Sequence, residues 1–412
     1  MIFFVLFLYL LAYVLILYKP KVSSVSTLLL GIISMFLSNQ FDFERAGHVI
    51  DFNTLSILFG MMLIVSVLKE RGVFTGISEY IIKASKGNFI TMLILINVAI
   101  FFLSAFLDNV TTILIFIPIL FYISDTLNLD PKMLSTSAIL FSNIGGMTTA
   151  IGDPPNIVIY SVSRLPFTSF FVNLLPVGTV LLITQLFWLK KELKLVSIKI
   201  PNNNNYSIMN SSWIWYLCFF MTTILTMAFH DKLNMELGTV TLLYALILLF
   251  IENSDFHSKV QEIDWDTIFL IIGLYMLNWS LESLNIFDKL ISFFKNFQHS
   301  VMLPLIILWL SILLSGFLGA LPVTLIFVNI VRKLAFHNPS SVLYWALALG
   351  VGIGGNLTPV ASMCNIVGNN LLRKLKNEEL SFLKFTQIML KPVLYGGIIS
   401  TVFILIKWYL RT

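Results

Sequence analysis

Long apolar stretches separated by short polar connections make up most of this sequence. A helix that crosses a membrane needs about 20 predominantly apolar residues, with a range of about 17–25. By that criterion the pattern predicts spans over residues 2–18, 24–40, 53–69, 133–163, 168–189, 212–230, 236–251, 266–281, 341–372 and 392–408. The chain is therefore expected to be a multi-pass membrane protein.

Two further apolar stretches, residues 89–124 and 301–331, are long but interrupted in the middle. The first is broken by "DNVTT" and the second by "GALPVT". Each half is too short for a comfortable span, whereas a hairpin that enters and leaves on the same side fits the length. Irregular backbone at membrane depth survives only where it is buried in protein or lines a wet cavity. The sequence therefore predicts two re-entrant hairpins, with tips at 104–112 and 315–324.

The two halves of the chain resemble each other in three places that follow the same order. "DFNTLSILFG" from Asp51 matches "DWDTIFLIIG" from Asp264, "SAFLDNVTT" from Ser104 matches "SGFLGALPVT" from Ser315, and "NIGGMTTAIGDPPNIV" from Asn143 matches "GIGGNLTPVASMCNIV" from Gly352. We therefore predict an all-α fold of two repeats, 1–190 and 212–412, joined by a cytoplasmic linker over 191–211. Each repeat would hold about five spans, one re-entrant hairpin and one broken helix. An odd number of crossings inverts the second repeat relative to the first, as in many secondary transporters.

The composition agrees with a location in the cell membrane. The chain is 58% hydrophobic and 11% charged, with a mean hydropathy of +0.90, whereas soluble domains are about 45–50% apolar and about 25% charged. The net charge of +5 is spread over the loops, which indicates membrane topology and not a nucleic-acid partner. The positive-inside rule favours both termini outside, although Arg332 and Lys333 oppose that orientation.

The stretch "SNIGGMTTAIGDPPN" predicts a break within a transmembrane helix. Glycine permits unusual backbone conformations and close approach, and proline removes an amide donor. One helix should therefore end near Gly145 and the next begin near Pro154. Asp153 is then expected at the N-cap of the second half-helix and Asn156 in its first turn, where the amides carry partial positive charge. "GGNLTPVASMCN" predicts the same arrangement around Pro359.

The hairpin tips and the broken helices are expected to meet near the membrane centre and form one polar site. The predicted substrate-binding residues are Asn109, Thr111, Thr112, Asn143, Gly145, Gly146, Thr148, Thr149, Asn156, Thr324, Asn356, Thr358 and Asn365. Asp153, assisted by Asp108, is predicted to couple transport to an ion, since an ionisable residue at membrane depth is a functional hypothesis by default.

Each of these assignments has a plainer alternative. Asp153 could serve only as a helix N-cap, and Asp108 could be a solvated tip residue. The threonines of the broken helices, Thr148, Thr149 and Thr358, could simply bond to carbonyls one turn back.

"DNVTT" followed by "NIGGMTTAIGDPPN" resembles the signature of the ion transporter superfamily. The resemblance covers nearly the whole chain and is strongest toward the arsenite/antimonite permease, the related sodium/proton antiporter and the melanosomal P protein. It implies a permease that moves a transport domain against a scaffold, and it carries Asn109, Thr111 and Thr112 onto the first hairpin tip and 143–156 onto the first broken helix. A proton or sodium gradient, not a bound cofactor, would supply the energy. The resemblance leaves open a homodimer and a soluble ATPase partner.

The second half departs from the pattern of several relatives. Gly319 and Ala320 stand where those relatives repeat an Asp-Asn pair, and Ser362 is the counterpart of Asp153. The carboxylates therefore lie in one half, which disfavours two symmetric cation sites. "ALPVT" and "GNLTPVASMCN" are more similar to the arsenite permease, so we expect export of a small inorganic oxyacid such as arsenite in exchange for protons. Cys364 is expected to be a small core residue, with a role as an arsenic ligand as the sharper alternative.

Other functions remain as alternatives at this stage. A sodium/proton antiporter, a carrier of another anion and a channel would share these features. The chain lacks a "GxxxxGK[ST]" phosphate loop, and none of its histidines forms a His-Glu-x-x-His zinc site. We therefore expect no enzymatic activity.

Overall fold

The computed structural model describes residues 2–19, 22–38, 47, 49–127, 129–193, 212–337 and 341–410. The regular elements of these residues are all helices. By length and hydropathy, three of the described helices are suited to cross a membrane, namely Phe52–Glu70, Phe167–Glu192 and Phe382–Leu410, and the other apolar helices are shorter.

The first half of the chain forms nine helices within the described ranges. They are α1 (Ile2–Tyr18), α2 (Ser23–Leu37), α3 (Phe52–Glu70), α4 (Val73–Ala84), α5 (Phe89–Ser104), α6 (Asn109–Leu127), α7 (Pro131–Gly146), α8 (Pro154–Ser163) and α9 (Phe167–Glu192).

The second half follows the same general order. Its described helices are α10 (Ser212–Ala228), α11 (Leu237–Ile251), α12 (Phe256–Gln261), α13 (Trp265–Ser283), α14 (Phe287–Lys295), α15 (Met302–Leu318), α16 (Ala320–His337), α17 (Val342–Gly354), α18 (Met363–Lys376) and α19 (Phe382–Leu410). A short 3₁₀ turn, His230–Leu233, joins α10 to α11.

Helices of the two halves pair crosswise to form one part of the molecule. α2 packs along α13, and α3 packs along α11. Hydroxyl and amide side chains join each pair, because Ser34 Oγ lies 2.9 Å from Ser280 Oγ and the amide of Gly238 donates to Asn53 Oδ1 over 2.8 Å. Hydrogen bonds of this kind between side chains are typical of helices that pack against each other within a membrane.

The interrupted helices form the other part. α7 packs against α5, α6 and α18, while α17 packs against α15 and α16. Large side chains such as Phe101, Phe141 and Trp345 are fully or almost fully buried there. The core therefore surrounds the helix breaks and fixes where they lie.

The helix breaks fall where the glycines and prolines predict them. α7 ends at Gly146 and α8 begins at Pro154, against predicted positions of Gly145 and Pro154. In the two predicted hairpins, α5 gives way to α6 within 104–112, and α15 gives way to α16 within 315–324. The placement of these hairpins in the bilayer, and the inversion of the second half, stay predictions.

Some boundaries differ from those that the hydropathy pattern predicts. The last helix begins at Phe382 and not at residue 392, because Pro392 lies inside the helix. The short helices α4, α12 and α14 were not predicted, since they are too short or too amphipathic to resemble spans. The predicted linker over 191–211 lies outside the described residues from position 194 onward.

Candidate functional site

The link between α7 and α8 is held closed by one amide side chain. Asn156 Nδ2 donates to Met147 O over 2.9 Å and to Thr149 O over 2.7 Å. Asp153 is the N-cap of α8 and accepts from the amide of Asn156 at 3.0 Å, as expected. Thr149 Oγ1 donates to Ala105 O and so fastens the link to the first hairpin. The break is thus an ordered structure with satisfied backbone carbonyls.

The link between α17 and α18 repeats this arrangement. Asn365 Nδ2 donates to Gly355 O and to Thr358 O, both over 2.7 Å. Thr358 Oγ1 donates to Gly316 O over 2.6 Å and fastens the second link to the second hairpin. The structure therefore gives the paired asparagines and threonines of both repeats the same local role.

Asn143 joins the two halves at the centre of the molecule. Its Nδ2 donates to Asn356 Oδ1 and to Asn365 Oδ1, each over 3.0 Å. Its Oδ1 accepts from Asn109 Nδ2 and from Ser362 Oγ, each over 3.3 Å. An amide group offers two donors and accepts through two lone pairs, so these contacts use its whole capacity.

The first hairpin tip lies against the end of α7. Asn109 Oδ1 accepts from Ser104 Oγ, and a Cβ atom added at Gly146 would lie 2.8 Å from Asn109 Nδ2. Gly146 therefore serves close approach, and neither it nor Gly145 adopts a positive φ. Asp108 accepts from the amide of Thr111 over 3.0 Å and from its hydroxyl over 3.3 Å, which caps α6.

The second hairpin tip has a different construction. Gly319 adopts φ +94°, a conformation that side-chain-bearing residues rarely adopt, and the amide of Ala320 donates to Ala361 O over 3.0 Å. Thr324 Oγ1 donates to Ala320 O over 2.8 Å, within its own helix. The tip is thus held to the second broken helix through backbone and not through an asparagine side chain.

A cavity of about 130 Å³ lies where the tips meet the broken helices. Its walls come from both hairpin tips, both broken helices, the junction of α1 with α2, and α13. The polar residues of the wall are Ser23, Asp108, Asn109, Asn143, Asp153, Thr267, Ser362 and Cys364. Among the described residues that line the cavity, none is Lys, Arg or His.

Only part of the predicted substrate set borders this cavity. Asn109 and Asn143 line it, together with Asp108 and Asp153. Seven other residues of the set are absent from the lining, and their side chains donate hydrogen bonds to backbone carbonyls. They are Thr112, Thr148, Thr149, Asn156, Thr324, Thr358 and Asn365. Asn356 also stands outside the lining, bonded to Asn143, as does Gly145.

Both carboxyl groups also border a second, smaller space. A pocket of about 30 Å³ is lined by Asp108, Thr111 and Asp153, and by apolar residues of α3 such as Met61 and Val65. Asp153 is 7% exposed and Asp108 is half-buried. The two acids therefore separate the central cavity from α3.

The cysteine and metal predictions concern the same region. Cys364 lies in the cavity wall and is fully buried. Within the described part of the chain, no three His, Cys, Asp or Glu side chains come together as metal ligands would.

A much larger vestibule was not predicted from the sequence. It encloses about 1040 Å³ and is lined by the start of α3, the end of α8, and parts of α13 and α16. Its charged lining residues include Asp51, Arg164, Glu236, Glu282 and Arg332. Arg332 donates to Glu282 over 2.9 Å, and so ties α16 to α13. These residues are far apart in sequence, so no local motif marks the vestibule.

Two crosswise helix pairs pack against a core of interrupted helices with a buried polar cavity, an architecture that fits a membrane transporter. The family model described as citrate transporter (CitMHS) matches residues 13–350. The chain belongs to this family, within the ion transporter superfamily.

The chain is also similar to several known proteins. An uncharacterized transporter of Mycobacterium tuberculosis H37Rv is 28% identical over 87% of each chain. The mouse P protein is 26% identical over 87% of this chain, which spans 54% of that protein's length. The crystal structure of the YdaH transporter of Alcanivorax borkumensis has a TM-score of 0.61, with 12% identity over 87% of this chain and 86% of that one. At that identity the likeness concerns the fold alone.

Proposed function

We propose that this protein is a secondary carrier that exports a small, uncharged oxyacid such as arsenite in exchange for protons. The observation that carries the proposal is the lining of the central cavity. Amide, hydroxyl and carboxyl groups face it, and no cationic side chain does among the described residues. Hydroxyl groups of a neutral oxyacid can donate to and accept from such groups without any charge to neutralise.

The size of the cavity supports a small solute. At about 130 Å³ the cavity is smaller than the pockets of about 300–1,000 Å³ that hold drug-sized ligands. Free citrate, the substrate in the family description, would bring several negative charges next to Asp108 and Asp153. Buried like charges without a cationic partner are strongly unfavourable, which argues against free citrate in this chain.

Asp153 is the group that we propose exchanges the proton. It borders both the central cavity, where we place the solute, and the smaller pocket against α3. Its capping bond to Asn156 uses Oδ1 and leaves Oδ2 for a proton. Its counterpart in the second half, Ser362, has no carboxyl group, so proton coupling is confined to the first half of the chain.

The vestibule provides the route to one side of the membrane. Under the orientation that the basic residues favour, its helix ends lie on the outer face. Alternating access would then require a second arrangement in which the cavity opens toward the cytoplasm.

A transport assay in proteoliposomes tests this proposal. With a proton gradient imposed, vesicles that contain the native protein should accumulate arsenite. The same vesicles should accumulate neither sodium nor citrate. Asp153→Asn should abolish gradient-driven accumulation while downhill exchange continues, since asparagine keeps the cap but cannot titrate. Asp130→Asn is the matched control, because Asp130 also caps a helix that begins with proline but lies outside the cavity. Accumulation by the Asp153 variant equal to that of the control would refute the coupling role.

Sodium/proton antiport is the second candidate. Asp108 and Asp153 both line the central cavity, and carboxylate oxygens suit a small hard cation. In the same assay, proton-driven sodium flux without arsenite flux would favour this candidate over oxyacid export.

A further inference from the structure

A cluster of cationic side chains without acidic partners lies where α18 gives way to α19. Arg373 and Lys374 are exposed in the last turn of α18, and Lys384 is exposed in the first turn of α19. None of the three belongs to an ion pair among the described residues. We call these three residues the basic surface.

The connection between the two helices is short and is fixed by one asparagine. Asn369 Nδ2 donates to Leu380 O, and the amide of Leu380 donates to Asn369 Oδ1, both over 3.1 Å. Leu380 itself is buried. These bonds hold the start of α19 beside the last turns of α18, so the three cations lie at the same end of the molecule.

Most acidic groups near the basic surface are already paired with other lysines. Lys132 bonds to Glu378 over 2.8 Å, and Lys376 bonds to Asp125. Glu379 adds one exposed negative charge to the connection. Because one free acid faces three free cations, this part of the surface keeps an excess of positive charge.

Exposed apolar side chains lie next to these cations. Leu375 follows Lys374 and is 49% exposed, while Phe382 and Leu383 precede Lys384 and are 45% and 72% exposed. Basic residues interleaved with large apolar residues are typical of a surface that lies in the membrane interface, where charged groups meet headgroups and apolar groups meet acyl chains.

The length of α19 places the basic surface at the level of the lipid headgroups. The helix has 29 residues and is therefore about 43 Å long, whereas the hydrocarbon core of a bilayer is about 30 Å thick. The apolar stretch begins only at residue 392, so residues 382–391 reach beyond the hydrocarbon core. Under the orientation that the basic residues favour, this end of α19 faces the cytoplasm.

We propose that the basic surface binds the headgroups of anionic phospholipids in the cytoplasmic leaflet. Arg373, Lys374 and Lys384 bond to the lipid phosphates, and the neighbouring apolar side chains contact the upper part of the acyl chains. Each Lys or Arg near an anionic membrane surface adds to the attraction, which makes a cluster of them selective for anionic over zwitterionic lipids. The surface is separate from the central cavity, so this inference does not depend on which solute is transported.

Thermal unfolding of the full chain in mixed micelles tests the proposal. The midpoint temperature is measured in a nonionic detergent with added phosphatidylglycerol, which is anionic, or with the same amount of phosphatidylcholine, which is zwitterionic. A ligand that binds only the folded chain raises this temperature. We expect phosphatidylglycerol to raise it by at least about 3 °C more than phosphatidylcholine does, and by less at high salt. Equal midpoints in the two lipids would overturn the proposal.

Two matched variants show whether the basic surface causes the difference between the lipids. Lys374→Gln/Lys384→Gln should lose at least about half of it, since two of the three cations are removed. Lys232→Gln/Lys295→Gln removes the same charge at two other exposed positions and should keep the full difference. Because the two lipids are compared within each variant, a general loss of stability does not affect the result. A full difference in the first variant, or equal losses in both, would contradict the assignment.

A soluble headgroup separates a lipid surface from a site for free phosphate. Glycerol phosphate at the same concentration should leave the midpoint temperature unchanged, because it cannot contact Leu375, Phe382 and Leu383 as acyl chains do. Stabilisation equal to that by phosphatidylglycerol would overturn the lipid assignment. A lack of arsenite transport by the native protein would alter none of these results.

Discussion

At the scale of single residues, Asn143 makes the contacts on which the site depends most. Four polar side chains from the first hairpin and the second broken helix bond to its amide. Because Asn109, Asn356 and Asn365 are buried, a shorter side chain at position 143 would leave their polar groups without partners. We therefore regard Asn143 as the residue that positions the site, whether or not it also touches the solute.

Asn143→Ala should lower both stability and transport. Each buried polar group left without a partner costs about 1–3 kcal/mol, so the free energy of unfolding should fall by at least about that amount. Denaturant unfolding in detergent micelles measures the change. Asn173→Ala is the control, because Asn173 bonds only to Ser169 O within its own helix and is half-buried. Equal losses in the two variants would contradict the central position of Asn143.

Gly146→Ala should displace the first hairpin tip. The added Cβ atom would lie 2.8 Å from Asn109 Nδ2, which is closer than side chains tolerate. We expect transport to fall at least about tenfold, because Asn109 lines the cavity. Gly396→Ala serves as the comparison, since its Cβ would come no closer than 3.2 Å to the side chain of Ile353. Normal transport by the Gly146 variant would show that the tip does not need this contact.

The sequence predicts some of these residues better than others. Gly146 and Pro154 mark the break because their backbone chemistry is local. Thr149, Asn156 and Asn365 were predicted to bind the substrate, and their bonds to backbone carbonyls could not be predicted, since those carbonyls become neighbours only in the folded chain. A polar motif shows that a site exists, whereas the hydrogen bonds decide which polar groups are left for a solute.

At the scale of elements, the matching hydrogen bonds of Asn156 and Asn365 explain why two interrupted helices are stable. Each asparagine satisfies carbonyl groups that the helix break leaves free, and Thr149 or Thr358 fastens each link to the neighbouring hairpin. The breaks themselves could be predicted from the sequence, because glycine and proline act locally. The amphipathic helices α4 and α14 could not be recognised by a search for spans, since they have only 12 and 9 residues.

An ion-pair network holds the end of α3 to α12. Lys259 is 5% exposed and bonds to Glu70 and to Glu262, the latter over 3.0 Å, while Ser66 donates to Glu262. Burial lowers the pKa of Lys259, but its bonds to the two carboxylates outweigh burial and raise it. Burial raises the pKa of Glu262, but the bonds from Ser66 and Lys259 outweigh burial and lower it.

These shifts predict how stability depends on pH. The contribution of Glu262 is present above its unfolded pKa of about 4.3 and is lost as the pH falls through its lower folded pKa. The contribution of Lys259 is present below about pH 10.4 and is lost as the pH rises through its higher folded pKa. Lys259→Met should therefore lower the free energy of unfolding by about 1–2 kcal/mol between about pH 5 and about pH 10, and by less outside that window.

Unfolding by denaturant across this pH range checks the prediction. Lys191→Met, at an exposed position of α9, is the control for loss of a positive charge. A Lys259 variant whose stability differs from the native value by the same amount at every pH would show that packing, not the ion pairs, accounts for the loss.

At the scale of the whole molecule, the two crosswise helix pairs pack against a core in which both halves contribute to one cavity. The vestibule is lined by parts of α3, α8, α13 and α16, and the Arg332–Glu282 bond connects α16 of the core to α13 of a crosswise pair. The division of the chain into two repeats stays a prediction, which rests on motifs that keep their order in the two halves. The vestibule could not be recognised, because its wall joins the ends of helices from both halves.

Counterflow in proteoliposomes tests most directly whether the protein is a carrier whose solute passes through the central cavity. Vesicles are loaded with unlabelled arsenite and diluted into labelled arsenite, with no proton gradient imposed. A carrier should accumulate label transiently above its equilibrium level, and Asn109→Leu, which removes one amide group from the cavity wall, should abolish that overshoot while the protein stays folded. Label that only equilibrates in vesicles with the native protein would contradict the carrier mechanism, and an undiminished overshoot with the Asn109 variant would show that the solute takes another path.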